Sequence, residues 1–137
     1  MANRIQPCRL DLNPQNGLCI YRSSDWLLSF RISTREGLVD TPMDLSSYTA
    51  RGAIKKFLTD ETPMAEMSVD CDSEGNVIAS IPANLTKNIL VPGKCFEDTD
   101  NFMYEIQLID NETDEVFRSL YGSVIVVGSV YDSNDIS

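Results

Sequence analysis

The chain has 137 residues, of which 42% are hydrophobic and 23% are charged, and it contains no histidine. This length predicts one domain, residues 1–137, with enough apolar residues to build a core. The formal net charge of −10 argues against nucleic-acid binding, which needs Lys and Arg for phosphate, and the lack of histidine excludes Ser-His-Asp and Cys-His catalysis and His-containing zinc sites.

Strand-like runs with a period of two dominate the first half of the chain. In Trp26–Ile32, residues 26, 28, 30 and 32 are apolar, and two of the three residues between them are polar. A weaker alternation follows over Ala50–Phe57. Because successive side chains of a strand point to opposite faces, each run predicts a half-buried strand. The turn-forming segment Asn13–Gly17 separates a first strand from Leu18–Tyr21.

Two hairpins are predicted in the second half. Turn-forming residues at Asp72–Asn76 join two strand-like runs, and those at Asp110–Asp114 join two more. The run Val124–Val127 is apolar on both faces, which is typical of a central strand or one covered by an interface. The alternation predicts a core that contains Trp26, Leu28, Phe30, Ile32, Ile54, Ile78, Tyr104, Ile106, Leu108 and Val124.

One segment has the pattern of a helix. In Ala83–Leu90, apolar residues recur near one helical face, Asn84 is a candidate N-cap, and Pro92 and Gly93 follow. About two turns fit in this space, which is enough for a short crossover helix. With seven to nine strands at spacings of about 8–12 residues, the pattern predicts an all-β sandwich with one short helix.

The four cysteines match no metal-binding pattern. They lie at Cys8, Cys19, Cys71 and Cys95 and include no C-x-x-C pair. The first residues carry no apolar signal core, so we expect reduced thiols. Cys8 and Cys19 lie in strand-like segments, and we expect both to be small core residues rather than disulfide partners.

Candidate metal and catalytic groups are weak. Asp70-x-Asp72-x-Glu74-Gly75 matches the first half of an EF-hand loop, but position 12 of that loop would be Ile81 rather than an acid. A hairpin turn explains this composition better. Nothing forces two carboxylates into a fixed pair or assembles a nucleophile, a base and an orienting group. We therefore expect no enzyme activity and no catalytic, cofactor-binding or metal-binding residues.

The negative charge is concentrated late in the sequence. Residues 1–96 contain 11 acidic and 10 basic residues, whereas residues 97–137 contain 10 acidic residues and one basic residue, Arg118. An acidic surface of this kind can steer association with a basic partner, or it can be a plain solvated face. Both interpretations stay open on the sequence alone.

Several motifs resemble a known family. The segment Pro42–Lys56 resembles the P-x-D-L-T-G-Y-T-A-R-x-x-I-R segment of small immunoglobulin-like virion proteins of tailed bacteriophages, including the amino-terminal domain of upper baseplate proteins. Trp26–Phe30 is similar to the W/F-x-F strand of that family, and Asp72–Ile78 is similar to its D-x-x-G-x-I hairpin.

The order of the motifs extends the resemblance over about residues 4–131. Pro82–Leu90 is similar to the P-x-x-x-T-x-x-L crossover of the family. Tyr104–Asp110 and Val116–Val126 are similar to its Y-x-L-x-L-x-D and V-x-R-L-L-x-G-x-V-x-V strands. In this chain Lys94–Asn101 adds an acidic insert. The resemblance implies an immunoglobulin-like β-sandwich that is assembled in the host cytoplasm and located in the virion.

The resemblance also implies a function. We expect a structural component of the tail, baseplate or neck that docks on other virion proteins in several symmetry-related copies, without nucleic acid or membrane contacts. The alternative is a carbohydrate-binding or host-adhesion module on the same fold. If the acidic loops contact a basic neighbour, the candidate contact residues are Glu97, Asp98, Asp100, Asp110, Glu112, Asp114 and Glu115. The Lys94–Asn101 insert and the Asp110–Glu115 hairpin are expected at opposite ends of one strand.

Overall fold

The computed structural model describes residues 5–89 and 99–128. The strands in these ranges are β1 (Cys8–Arg9), β2 (Ile20–Tyr21), β3 (Trp26–Arg31), β4 (Ser33–Glu36), β5 (Val39–Pro42), β6 (Tyr48–Lys55), β7 (Ala65–Cys71), β8 (Asn76–Ile81), β9 (Thr99–Asp110) and β10 (Val116–Val127). One helix, α1 (Ala83–Thr86), lies between β8 and β9. The predicted all-β fold is confirmed.

Eight of these strands form one sheet that curls into two layers. The order is β1-β10-β9-β6-β7-β8-β3, and β2 also pairs with β10. β7 belongs to both layers, because Ala65 and Met67 pair with β6 whereas Ser68–Cys71 pair with β8. The first layer therefore consists of β1, β2, β10, β9 and β6, and β8 and β3 form the second. The ten strands of the described residues exceed the seven to nine that the sequence predicts, because β4 and β5 form a separate two-stranded sheet.

The core lies between the layers and contains most of the predicted residues. Seven of them are buried, namely Trp26, Leu28, Ile54, Tyr104, Ile106, Leu108 and Val124. Phe30 and Ile32 are partly buried and pack against this cluster. Central placement of β10, with partners on both edges, explains why Val124–Val127 is apolar on both faces.

The prediction that Ile78 belongs to the core is wrong. Ile78 is 43% exposed, whereas Val77 and Ala79 beside it are fully buried. Val77 lies opposite Phe30, and Ile78 lies opposite Ser29 on the outer face of β3. Directly opposed residues share a face of the sheet, so pairing with β3 turns Ile78 toward solvent.

The amino-terminal segment runs parallel to β10. Cys8 and Arg9 pair with Leu120 and Tyr121, and Ile20 pairs with Val126 farther along the same strand. The predicted turn at Asn13–Gly17 lies between these two contacts. Contrary to the prediction of a core residue, Cys8 is exposed because this edge strand leaves it outside the sandwich.

Gly122 allows the amino-terminal segment to approach β10 closely. A Cβ atom at Gly122 would lie 2.4 Å from the carbonyl oxygen of Leu10. Two residues earlier, the pairing of β9 and β10 is interrupted by a bulge between Arg118 and Leu120. At the bulge, the buried Ser119 hydroxyl donates a hydrogen bond to the carbonyl of Ile106 at 2.9 Å. At residue 122 the Leu10 carbonyl leaves no room for a side chain, so this position of β10 requires glycine.

Helix α1 is shorter than predicted, and its cap is different. Asn84 lies inside the helix rather than at its N-cap, and the carboxylate of Asp25 accepts a hydrogen bond from the Ala83 amide at 2.7 Å. The buried Thr86 hydroxyl donates to the carbonyl of Ser24 at 2.9 Å. The turn before β3 thus holds the helix, which at four residues is too short to be stable without such contacts. Leu90, Pro92 and Gly93 lie outside the described residues.

Candidate docking surface

Loops from both layers meet at one end of the sandwich. The amide of Asn111 donates to the carbonyl of Ser47 at 3.0 Å, and the amide of Leu45 donates to the carbonyl of Asp72 at 3.0 Å. The amide of Ile32 in turn donates to the carbonyl of Gly75 at 2.8 Å. These bonds connect residues 32–48, 72–76 and 110–116, which we call the hairpin end.

A two-stranded hairpin leaves the sandwich at this end. Among the described strands, β4 and β5 pair only with each other, in the register Ser33↔Pro42 to Glu36↔Val39. Gly37, with φ of 63°, and Leu38 form the two-residue turn. Positive φ at the first turn position and not at the second is typical of a type II′ turn. We call Ser33–Pro42 the arm.

Most of the arm is exposed. Thr34 is half-buried, and the residues of β5 are all exposed. At the tip, Leu38 is 93% exposed and Val39 is 64% exposed. Arg35 and Asp40 form an ion pair across the arm at 3.4 Å. The tip thus presents two adjacent apolar side chains beside the Arg35–Asp40 ion pair, whose two charges cancel.

The base of the arm is held by backbone contacts. Ile32 bonds to Gly75 on one side, and its carbonyl accepts a hydrogen bond from the Met43 amide at 3.0 Å on the other. Gly75 has φ of 80°, and a Cβ there would lie 2.3 Å from the carbonyl oxygen of Ile32. Only glycine fits this position. The β7–β8 turn therefore fixes the point at which the arm leaves the sandwich.

Acidic side chains surround this base. Asp44, Asp72 and Glu74 are exposed in the two loops that bond to the arm and to each other. The side chain and the backbone amide of Asn76 donate hydrogen bonds to the Asp72 carboxylate and hold its pKa below the usual range. Hydrogen bonds from Ser46 do the same for the pKa of Asp44. Both carboxylates are therefore negative at neutral pH.

The β9–β10 hairpin brings four predicted contact residues to the same end. Glu112, Asp114 and Glu115 are exposed, and Asp110 is half-buried. The amide of Glu112 donates to the Asp110 carboxylate at 2.9 Å, and Asp114 has φ of 62°. Tyr48 lies opposite Asp110 in the pairing of β6 with β9. Burial and the charges of Asp110, Glu115 and Glu112 raise the pKa of its hydroxyl.

The remaining predicted contact residues are separated from these. Asp100 and Asp110 lie at opposite ends of β9, roughly 35 Å apart at the rise of an extended strand. Asp100 pairs with the Lys56 ammonium, which also contacts the ring of Phe102. Glu97 and Asp98 lie outside the described residues. The structure therefore groups the hairpin acids with Asp44, Asp72 and Glu74 rather than with Asp100.

The EF-hand-like segment is a hairpin turn. The Asp72 carboxylate accepts hydrogen bonds from the amides of Glu74 and Asn76, both at 2.9 Å. Within residues 5–89 and 99–128, no group of three or more Cys, Asp or Glu side chains is placed to hold a metal ion. No helix in this part of the chain is long and apolar enough to cross a membrane.

Two features of this end are missed by sequence reasoning. The arm lacks apolar alternation, and only Gly37 between two short runs signals its turn. Asp44, Asp72 and Glu74 lie before residue 97 in a region of almost balanced charge, so counting along the chain does not join them to the later acids.

The comparisons with known proteins do not assign the chain to a family. No family model matches the chain, and no curated protein is significantly similar to it.

Proposed function

We propose that this chain is a structural, non-enzymatic docking module of a tailed-bacteriophage particle, located in the tail, baseplate or neck in several symmetry-related copies. The motif order from Trp26 to Val126 supports the assignment to a virion, because it resembles small immunoglobulin-like virion proteins. Loops on a rigid sandwich are also a common way to present a binding surface.

The observation that carries docking is the construction of the hairpin end. Its three loops come from both layers and bond to one another through Asn111–Ser47, Leu45–Asp72 and Ile32–Gly75. Backbone bonds of this kind fix loop positions before a partner arrives, which lowers the entropy cost of binding. The hairpin end is therefore preorganised for contact with a partner. Among the described residues it contains no group of metal ligands.

The charge of the hairpin end favours a basic partner. Arg31 adds one positive charge beside these acids, and its Nε donates to the carbonyl of Glu74 at 3.1 Å. Identical neighbours in a ring would repel one another through these acidic ends, whereas a basic neighbour would be attracted. Charges at the rim of an interface mainly accelerate association.

The adhesion alternative gains no support from the aromatic residues that the structure describes. Trp26, the single tryptophan of the chain, is 6% exposed and donates through Nε1 to the carbonyl of Leu18 at 3.2 Å. Stacking on a sugar ring needs an exposed aromatic face. Tyr21 and Phe57 are exposed, but they lie on different elements, β2 and the β6–β7 connection.

The test uses phage particles from the genome that encodes the chain. Mass spectrometry of purified particles should find the protein in a fixed stoichiometry. Rebinding of purified protein to particles assembled without it should slow roughly three- to tenfold at low salt in the Glu112→Gln/Asp114→Asn variant. The difference should vanish at about 1 M salt, where the Debye length is about 3 Å.

A matched control removes the same charge elsewhere. Glu61→Gln/Glu66→Gln changes two exposed acids near the opposite end and should leave the rebinding rate unchanged. Absence of the protein from purified particles would refute the proposed function. Equal rates for both double variants at low salt would refute the role of the hairpin end.

A further inference from the structure

We propose that the arm is an insertion element: Leu38 and Val39 enter an apolar cleft, lined at its rim by Lys or Arg, on a different polypeptide of the particle. This inference deepens the proposed function and rests on it. It names the part of the hairpin end that supplies the apolar centre of the contact.

The first argument is the exposure of the arm. A two-stranded hairpin alone is marginally stable in water and needs a third strand or a packed face. β4 and β5 pair with no other described strand, and β5 is exposed throughout. With Leu38 93% exposed and Val39 64% exposed, the two tip side chains have apolar surface to gain from burial in a partner.

The second argument is the precise attachment of the arm. Ile32, directly before β4, bonds to Gly75, and Met43, directly after β5, bonds back to Ile32. Both strands of the arm are thus clamped at their base. Because a rigid base limits the directions available to the tip, less entropy is lost when the tip enters a cleft.

The third argument is the charge around the base, which identifies the partner. Asp44, Asp72 and Glu74 are exposed in the loops that clamp the arm. When the tip enters a cleft, these carboxylates come to the rim, where Lys or Arg would complement them. A second copy of this chain, with a formal net charge of −10, would bring the same acidic end and be repelled.

The position of the arm is tested by crosslinking in the assembled particle. A photoreactive residue introduced as Leu38→p-benzoylphenylalanine should crosslink to a different virion protein, at a peptide near Lys or Arg. The same residue introduced as Leu58→p-benzoylphenylalanine is the control, because Leu58 is 77% exposed at the opposite end. A crosslink from position 38 to a second copy of this chain, or none at all, would overturn the proposal.

The energetic contribution is tested by rebinding to particles assembled without the protein. Leu38→Ser should weaken binding by at least about tenfold, which is the low end expected for loss of one buried leucine. Leu58→Ser should leave binding unchanged. If the protein is absent from particles, the proposed function and this inference both fail. If it is present and Leu38→Ser binds like the original protein, the arm inference alone fails.

Discussion

The hydroxyl of Tyr104 donates a hydrogen bond to the carbonyl of Leu10, which is 94 positions earlier in the chain. Tyr104 is 3% exposed in the middle of β9. Its partner lies where the amino-terminal segment passes Gly122, and the Leu10 amide donates to the carbonyl of Tyr121 at 2.9 Å. One buried hydroxyl thus joins the core to the segment that covers the edge of β10.

Removing this hydroxyl should destabilise the protein. Tyr104→Phe is expected to lower the free energy of unfolding by about 1–2 kcal/mol, because the Leu10 carbonyl loses its donor. Tyr121→Phe is the control, since the Tyr121 ring packs on Arg118 and its hydroxyl has no hydrogen bond to any residue within 5–89 and 99–128. Urea denaturation measures both variants, and equal stabilities would show that the Tyr104 bond contributes nothing.

The same residue predicts a loss of stability in alkali. Burial, together with the charges of Asp11 and Cys8, raises the pKa of Tyr104 above the ordinary 10.0. The folded state disfavours the ionised form of Tyr104. Its contribution to the free energy of unfolding is therefore complete below about pH 10 and is lost as the pH rises above that value. Between about pH 9 and about pH 11, the free energy of unfolding of the original protein should therefore fall more than that of Tyr104→Phe. Parallel pH profiles would contradict this assignment.

Substitution of two glycines with positive φ distinguishes the cost of a steric clash from the cost of backbone strain. Gly75, φ 80°, has the Ile32 carbonyl 2.3 Å from the position of a Cβ, whereas Gly17, φ 74°, has nothing within 4 Å. Gly17→Ala should cost about 1–2 kcal/mol, the ordinary penalty of the left-handed region. Gly75→Ala should cost roughly 2 kcal/mol more. Thermal denaturation gives the comparison, and equal costs would mean that Gly75 is not in contact with the base of the arm.

The register of β8 is tested by neighbouring substitutions. Val77 is fully buried and Ile78 is 43% exposed. Val77→Ala should lower the free energy of unfolding by about 2 kcal/mol, and Ile78→Ala by under about 1 kcal/mol, although isoleucine loses more carbon atoms. If Ile78→Ala proved the more damaging change, β8 would have the opposite face inward.

Thiol labelling tests the state of the cysteines. Cys8, Cys19 and Cys71 are all free thiols. In a Cys95→Ser variant, the exposed Cys8 should react first with a thiol reagent under native conditions. Cys19 is 3% exposed, and burial raises the pKa of the Cys71 thiol, so both should react slowly.

Denaturing the unmodified protein without a reductant should expose every thiol. All of Cys8, Cys19, Cys71 and Cys95 should then react. A pair that reacts only after a reductant is added would reveal a disulfide and weaken the prediction of intracellular assembly.

The sequence predicts the sandwich well because its signals are local. Alternation in Trp26–Ile32 and the turn residues of Asp72–Asn76 each act within a few positions. The error at Ile78 arises because β8 offers an apolar residue to each face, and only pairing of Val77 with Phe30 decides between them. Which face of β8 is buried thus depends on tertiary pairing and not on the local sequence.

The hairpin end is harder to predict because it depends on contacts between distant loops. Asp72 and Asp110 are 38 positions apart in the sequence, and the Leu45–Asp72 and Asn111–Ser47 bonds bring their loops together. The acidic residues at 110–115 are recognisable from charge alone. Their grouping with Asp44 and Glu74, beside an exposed arm, follows only from the order of the strands.

The central claim, that the hairpin end docks on another virion protein, is tested most directly by electron microscopy of the intact particle. The reconstruction should contain the sandwich with residues 32–48, 72–76 and 110–116 against the density of a different protein, and with Leu38 inside that density. A particle in which this end faces solvent, or which lacks the sandwich, would contradict the account.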